Sequence, residues 1–127
     1  MMIYKTQTNY PINTVKKQLE ERAKILGFGI LGSYEFKEIL KSKGFEIKKD
    51  ITVYELCNPK AASDALDSLP EISVYLPCRL SLYEEDGVTT LATIGIEDML
   101  NAVHVDDEFK KHMNEIFQKI RSLMNAW

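Results

Sequence analysis

Two cysteines are the residues of this sequence best able to do chemistry. Each adjoins an expected proline-containing corner of the chain, Cys57 in Cys57-Asn58-Pro59 and Cys78 in Leu76-Pro77-Cys78. A thiolate is a nucleophile, a redox group and a soft-metal ligand. Cys57 precedes a run that reads as a helix, and a helix N-terminus stabilises a thiolate. Free cysteine is also among the most buried residue types, so packing alone accounts for both thiols about as well. Two thiolates fall short of a structural zinc site, which takes four ligands, and the remainder would have to come from a second chain or a bound molecule. Cys57, Asn58 and Cys78 are therefore the candidate ligand-binding residues, with Cys57 and Cys78 the metal ligands if a metal is held. No catalytic residue is assigned.

The other chemistry-bearing side chains form no comparable constellation. His104 and His112 are eight residues apart, with an expected helix break at Asp106-Asp107 between them, so they are not an i, i+4 ligand pair. His112 flanks the apolar stripe of the last helix as a boundary residue. His104 ends a helical segment, where an imidazolium suits the negative end of the dipole. Glu84-Glu85-Asp86 and Asp106-Asp107-Glu108 lack the alternating ligands and central glycine of a calcium loop, and read as a solvated turn and a helix start. The sequence holds no phosphate-binding loop, dinucleotide fingerprint, HExxH or nucleophile elbow. Phe28-Gly29-Ile30-Leu31-Gly32 opens no helix long enough to cradle a phosphate.

The elements that must position the cysteines follow from hydrophobic spacing. Met2 to Thr8 reads as a strand. Ile12, Val15, Leu19, Ala23 and Leu26 recur every three or four residues on one helical face, with Gly27 as the stop. Phe28 to Gly32 suits a short strand, Ser33 is a candidate cap for a short helix bearing Phe36, Ile39 and Leu40, and Gly44 closes it. Phe45 to Leu56 reads as a bulged strand in which Ile51 and Val53 set the phase and Tyr54 and Leu56 break it. Pro59 opens a helix whose alanines, Ala61, Ala62 and Ala65, imply close approach to a neighbour. Ile72 to Tyr83 and Val88 to Ile94 read as strands joined by a turn containing Asp86-Gly87. Pro77 places Leu76-Pro77-Cys78 at a sheet edge or a bulge. Ile96 to Val103 and Phe109 to Trp127 read as two helices. The second is long, and Phe117 and Met124 widen its stripe beyond one face, so it is either deeply buried or part of an oligomer.

Interspersed strands and helices with one antiparallel hairpin favour an α+β fold over a doubly wound sheet. With 127 residues, 45% of them hydrophobic and none in a linker-like tract, the chain reads as a single domain, 1–127, that needs no staple to fold. A net charge of −3 lacks the basic footprint of a nucleic-acid binder or an anionic-membrane partner, so neither is expected. The N-terminal residues offer no signal-peptide core and no apolar run reaches spanning length, which implies a cytoplasmic protein with reduced thiols.

The two cysteine corners, taken with Ala61-Ala62, Ala65-Leu66, Pro70-Glu71-Ile72, Met99-Leu100 and the upstream Phe28-Gly29-Ile30-Leu31, resemble the family of unknown function designated DUF302. The resemblance runs from about Asn13 to Trp127. It implies a compact α+β fold, an antiparallel sheet with flanking helices similar to the TATA-binding-protein-like (TBP-like) superfold, and a homodimer. It carries no activity and does not imply DNA binding. The sequence departs from the family pattern at Ser73, where a glycine is common in what reads as a strand, and at Gly95-Ile96, where Asp-Pro usually precedes the last helical region.

Three functional expectations follow. The first is a small homodimeric binding module holding a soft metal, haem or a sulfur species near Cys57 and Cys78. The second is a non-catalytic interaction or regulatory subunit acting through a dimer surface that includes Phe117, Met124 and Trp127. The third is a redox or transfer enzyme with Cys57 as nucleophile and Cys78 as resolving thiol, which lacks an identifiable base. The binding module ranks first, and the cofactor, if any, is unknown.

Overall fold

A computed structural model describes residues 3–101 and 103–127. Strand β1 (Ile3–Thr8) leads through Tyr10 and Pro11 into α1 (Ile12–Ile25), and β2 (Gly29–Glu35) follows. Met2, expected to begin the first strand, lies outside the described residues. After β2 come α2 (Phe36–Ser42), β3 (Ile51–Cys57) and α3 (Pro59–Ser68), then a 3-10 segment (Pro70–Tyr75). Strands β4 (Cys78–Glu85) and β5 (Val88–Ile94), and helices α4 (Ile96–Asn101) and α5 (Asp107–Met124), complete the order. The strands make one antiparallel sheet in the order β1-β5-β4-β3-β2, so the fold is α+β with flanking helices.

Both long helices lie on the same face of the sheet. Ile12, Val15, Leu19 and Ala23 of α1 and Ile120, Leu123 and Met124 of α5 pack with Tyr54, Leu56, Leu80, Leu82 and Leu91 in one core. A second cluster at the end of the sheet joins Ala65, Ile72, Met99, Met113 and Phe117, drawn from α3, the 3-10 segment, α4 and the middle of α5. Tyr4 reaches it from β1, its ring 5.1 Å from that of Phe117 in an edge-on pair. Helix α2 borders β2 and β3 and buries none of its side chains. The long helices thus leave the other face of the sheet uncovered.

Several expectations need correction. Phe117 and Met124 are buried in their own chain, so they offer no dimer surface. Trp127 is half-buried, its Nε1 donating to Gln18 Oε1 at 2.9 Å under the Arg22 guanidinium. Ser33 lies inside β2, and α2 is preceded by Glu35, because β2 extends beyond the apolar run to pair with Thr52. Strand β3 starts at Ile51 rather than Phe45, and its inward phase is Thr52, Tyr54 and Leu56. The irregularity expected there falls instead between Ile30 and Gly32 of β2. Residues 72–75 are not strand: Pro70 opens a 3-10 turn that seals Ile72 into the second cluster, and Ser73 sits in that turn. Pro77 precedes the first residue of β4, the central strand, so its missing donor costs no ladder bond. His112 is exposed on α5, and His104 is exposed in the connection after α4 rather than within it.

Candidate functional site

The corner Cys57-Asn58-Pro59 turns β3 into α3. Asn58 caps the helix, its Oδ1 accepting from the Ala61 amide at 3.1 Å, and Pro59 occupies the first turn, where a missing donor is harmless. The amide end of the same side chain faces the tight exit from α1. A Cβ on Gly27 would come within 3.2 Å of Asn58 Nδ2, and Gly27 has φ +89°. The positive φ is what calls for glycine there, and a Cβ would in addition press on the Asn58 amide.

Beneath this corner lies a cavity of about 270 Å³ bounded by Phe28 and Leu31, by Leu56, Cys57 and Asn58, and by the α3 residues Ala61, Ala62, Ala65 and Leu66. Its far wall is Leu76, Pro77, Cys78, Met113 and Ile116. Ala65 is buried where α3 approaches α5 and the 3-10 segment, the close approach that the alanines' size suggested. Ala61 and Ala62 leave space open beside it, and all three candidate residues meet there.

A second cavity of about 220 Å³ lies on the other side of the same wall, bounded by the ends of β4 and β5 and by α4 and α5. Leu76, Pro77, Cys78, Met113 and Ile116 border both spaces. Met113, Ile116 and Leu76 were not candidates from the sequence. The helical period marks Met113 and Ile116 as inward-facing, and nothing local distinguishes a residue that faces a void from one that faces a neighbour.

Cys78 stands opposite Leu56 in the β3–β4 register and packs against the main core on the helix-covered face. Cys57 is in phase with Val53 and Glu55, one residue out of step with Leu56, so strand alternation directs it to the opposite face. Both are free thiols, and they approach the corner from different sides of the sheet. Burial, and after it the proximity of Cys57, pushes the Cys78 thiol up to about 11. It is a protonated, weakly reactive group at neutral pH.

The donor set is short for a bare metal ion. Among the described residues no three His, Cys, Asp or Glu side chains gather where an ion could be held. Neither histidine borders either cavity, and His112 lies beside Glu108 and Glu115 at 3.7 and 3.8 Å on the exposed side of α5. Among the described residues no helix is long and apolar enough to cross a membrane.

Comparison with known proteins bears on the same segment. The family profile described as "Domain of unknown function DUF302" matches residues 4–127. The chain is similar to an uncharacterized conserved DUF302 protein from Bacillus stearothermophilus, known from a crystal structure. The two are 26% identical with a TM-score of 0.86, over 98% of this chain and 97% of that one. A comparison with curated proteins gives no match.

Proposed function

The chain belongs to the DUF302 family, and from that premise we propose that it is a small homodimeric binding module which holds a neutral, largely apolar molecule in the space beneath Cys57, Asn58 and Cys78. The observation that carries this reading is the pair of cavities meeting at Leu76-Pro77-Cys78, lined mostly by apolar side chains. Small-molecule sites are concave, apolar and largely preformed, with few polar groups. Spaces of about 270 and 220 Å³ lie below the roughly 300 Å³ at which pockets for drug-sized ligands begin, so the occupant of either is small and haem is too large.

The raised affinity of Cys78 for its proton argues against its serving as a resolving thiolate. In this reading Cys78 and Met113 act as soft, polarisable wall atoms.

Benzene is a suitable first probe, because apolar cavities of roughly 150 Å³ are known to accept it. Titration into protein carrying labelled methionine and isoleucine methyl groups should give saturable shifts at Met113 and Ile116. An Ala62→Phe substitution, which fills the cavity from α3, should abolish them. Benzene shifts that are absent or non-saturable at these two methyl groups would overturn the reading.

A further inference from the structure

We propose that the natural occupant is an unbranched alkyl chain, threaded past Leu76, Pro77 and Cys78 from one cavity into the other with its polar end left in water. The inference rests on the binding-module reading and names the class of ligand. Four observations carry it.

The two cavities share a five-residue wall, so one layer of side chains separates them. Met113 belongs to that layer, and its unbranched side chain has three rotatable bonds, the kind of residue that can swing aside and refill a gap. The interior is unsuited to charge: the cavity of about 270 Å³ has no charged residue in its lining, and that of about 220 Å³ has only Arg79, which is exposed. Finally, the openings carry exposed apolar side chains that the core does not need. Leu31 is 65% exposed beside one cavity and Val74 is 80% exposed beside the other, giving apolar surface at both ends of the path.

A compact ring fits one compartment and gains nothing from the second. A chain one methylene wide uses both, and each further methylene buried adds to its affinity. Burial of a methylene corresponds to about a fourfold gain in binding.

The test is calorimetric titration of the full chain with butanoate, hexanoate, octanoate and decanoate, with the matching primary alcohols, and with 2-ethylhexanoate, the branched isomer of octanoate. The expected result is an affinity that rises about fourfold per methylene as far as decanoate, in parallel for acids and alcohols. Octanoate should bind more tightly than its branched isomer. Met113→Phe should stop the rise at hexanoate. Because that variant could fail to fold, Ala62→Leu provides a second obstruction within one cavity and should also shorten the rise.

An affinity in the unaltered protein that levels off at hexanoate, or equal binding of octanoate and 2-ethylhexanoate, would overturn the inference. Binding of the acids without the alcohols would overturn it as well, since a head-group site would then be what is read. If benzene binds and chain length has no effect, the module reading stands and the chain is excluded. If neither binds, both fall.

Discussion

Burying a thiol between two cavities changes both its reactivity and its dependence on pH. With its pKa pushed from 9.0 to about 11, Cys78 has a thiolate fraction lower by about a hundredfold at mildly alkaline pH, and alkylation by iodoacetamide should slow by a similar factor relative to an unperturbed thiol. The same shift is a statement about stability. The folded chain keeps the Cys78 proton up to about 11 whereas the unfolded chain releases it near 9.0, so the contribution is complete below 9.0 and is lost as pH rises towards 11. It amounts to about 2–3 kcal/mol in total. Urea unfolding at stepped pH should show that loss in the native sequence and not in Cys78→Ala; parallel curves would show that the thiol is not held protonated. A second residue is costly in a different way. Thr52 is fully buried in β3, and among the described residues its hydroxyl has no hydrogen-bond partner. An orphaned buried hydroxyl costs about 1–3 kcal/mol, and Val keeps the branched shape that the strand favours. Thr52→Val should therefore raise Tm by a few degrees, and a fall in Tm would mean that the hydroxyl is satisfied.

At the scale of elements, two helices begin on equivalent chemistry and serve different ends. Asp106 caps α5, its Oδ1 accepting from the Phe109 amide at 2.8 Å, just as Asn58 caps α3. Replacing either by Ala should cost about 1 kcal/mol. Only Asn58→Ala should also weaken benzene binding, because Asn58 borders the cavity and Asp106 does not. Equal effects of the two substitutions on the ligand would detach Asn58 from the site. The helix start at Asp106-Asp107, the period of α1 and α5 and the Asp86-Gly87 turn are local features, and they were legible in the sequence, whereas the cap at Asn58 was not read there and Ser33 was a false one. Both turn residues have positive φ, 51° and 79°, as the hairpin requires. The phase of β3 was not legible from its apolar residues, since Ile51-Val53 and Tyr54-Leu56 offer rival stripes. Glu55, in step with Ile51 and Val53, was the available sign that this stripe faces out. Residues 72–75 misled for a tertiary reason: Ile72-Ser73-Val74-Tyr75 alternates like a strand, yet Ile72 is buried in the helical second cluster beside α3 rather than held by a sheet partner. The cysteine corners pointed to the right place, but the cavity between them depends on residues of α5 more than thirty positions away in sequence.

The whole molecule has one architectural imbalance, a sheet with both long helices on one side. Its other face presents Ile3, Lys5 and Gln7 from β1, Ser81 and Tyr83 from β4 and Ile51 and Val53 from β3, over the nearly buried Thr90 and Ala92 of β5, with Arg79 and Glu55 paired across β4 and β3 towards one end, a mainly neutral surface with charges at its margins. Five strands about 4.8 Å apart and about 7 residues long span roughly 550 Å². Two copies packed face to face would bury roughly 1,100 Å², just above the roughly 1,000 Å² that a specific interface needs. With β4 at the centre of the order, a two-fold axis along that strand would set β1 of one copy over β2 of the other and leave no face open. The proposed homodimer should therefore form through this face and be only moderately tight. Sedimentation across a concentration series should show reversible dimerisation. Ser81→Arg or Ile3→Glu should shift it to monomer while leaving the circular dichroism unchanged, since both side chains lie outside the core. Neither Ser81 nor Ile3 lines a cavity, so benzene binding should survive in these monomers. A dimer that persists in both variants would place the interface elsewhere, and loss of benzene binding on dissociation would mean that the second copy completes the site.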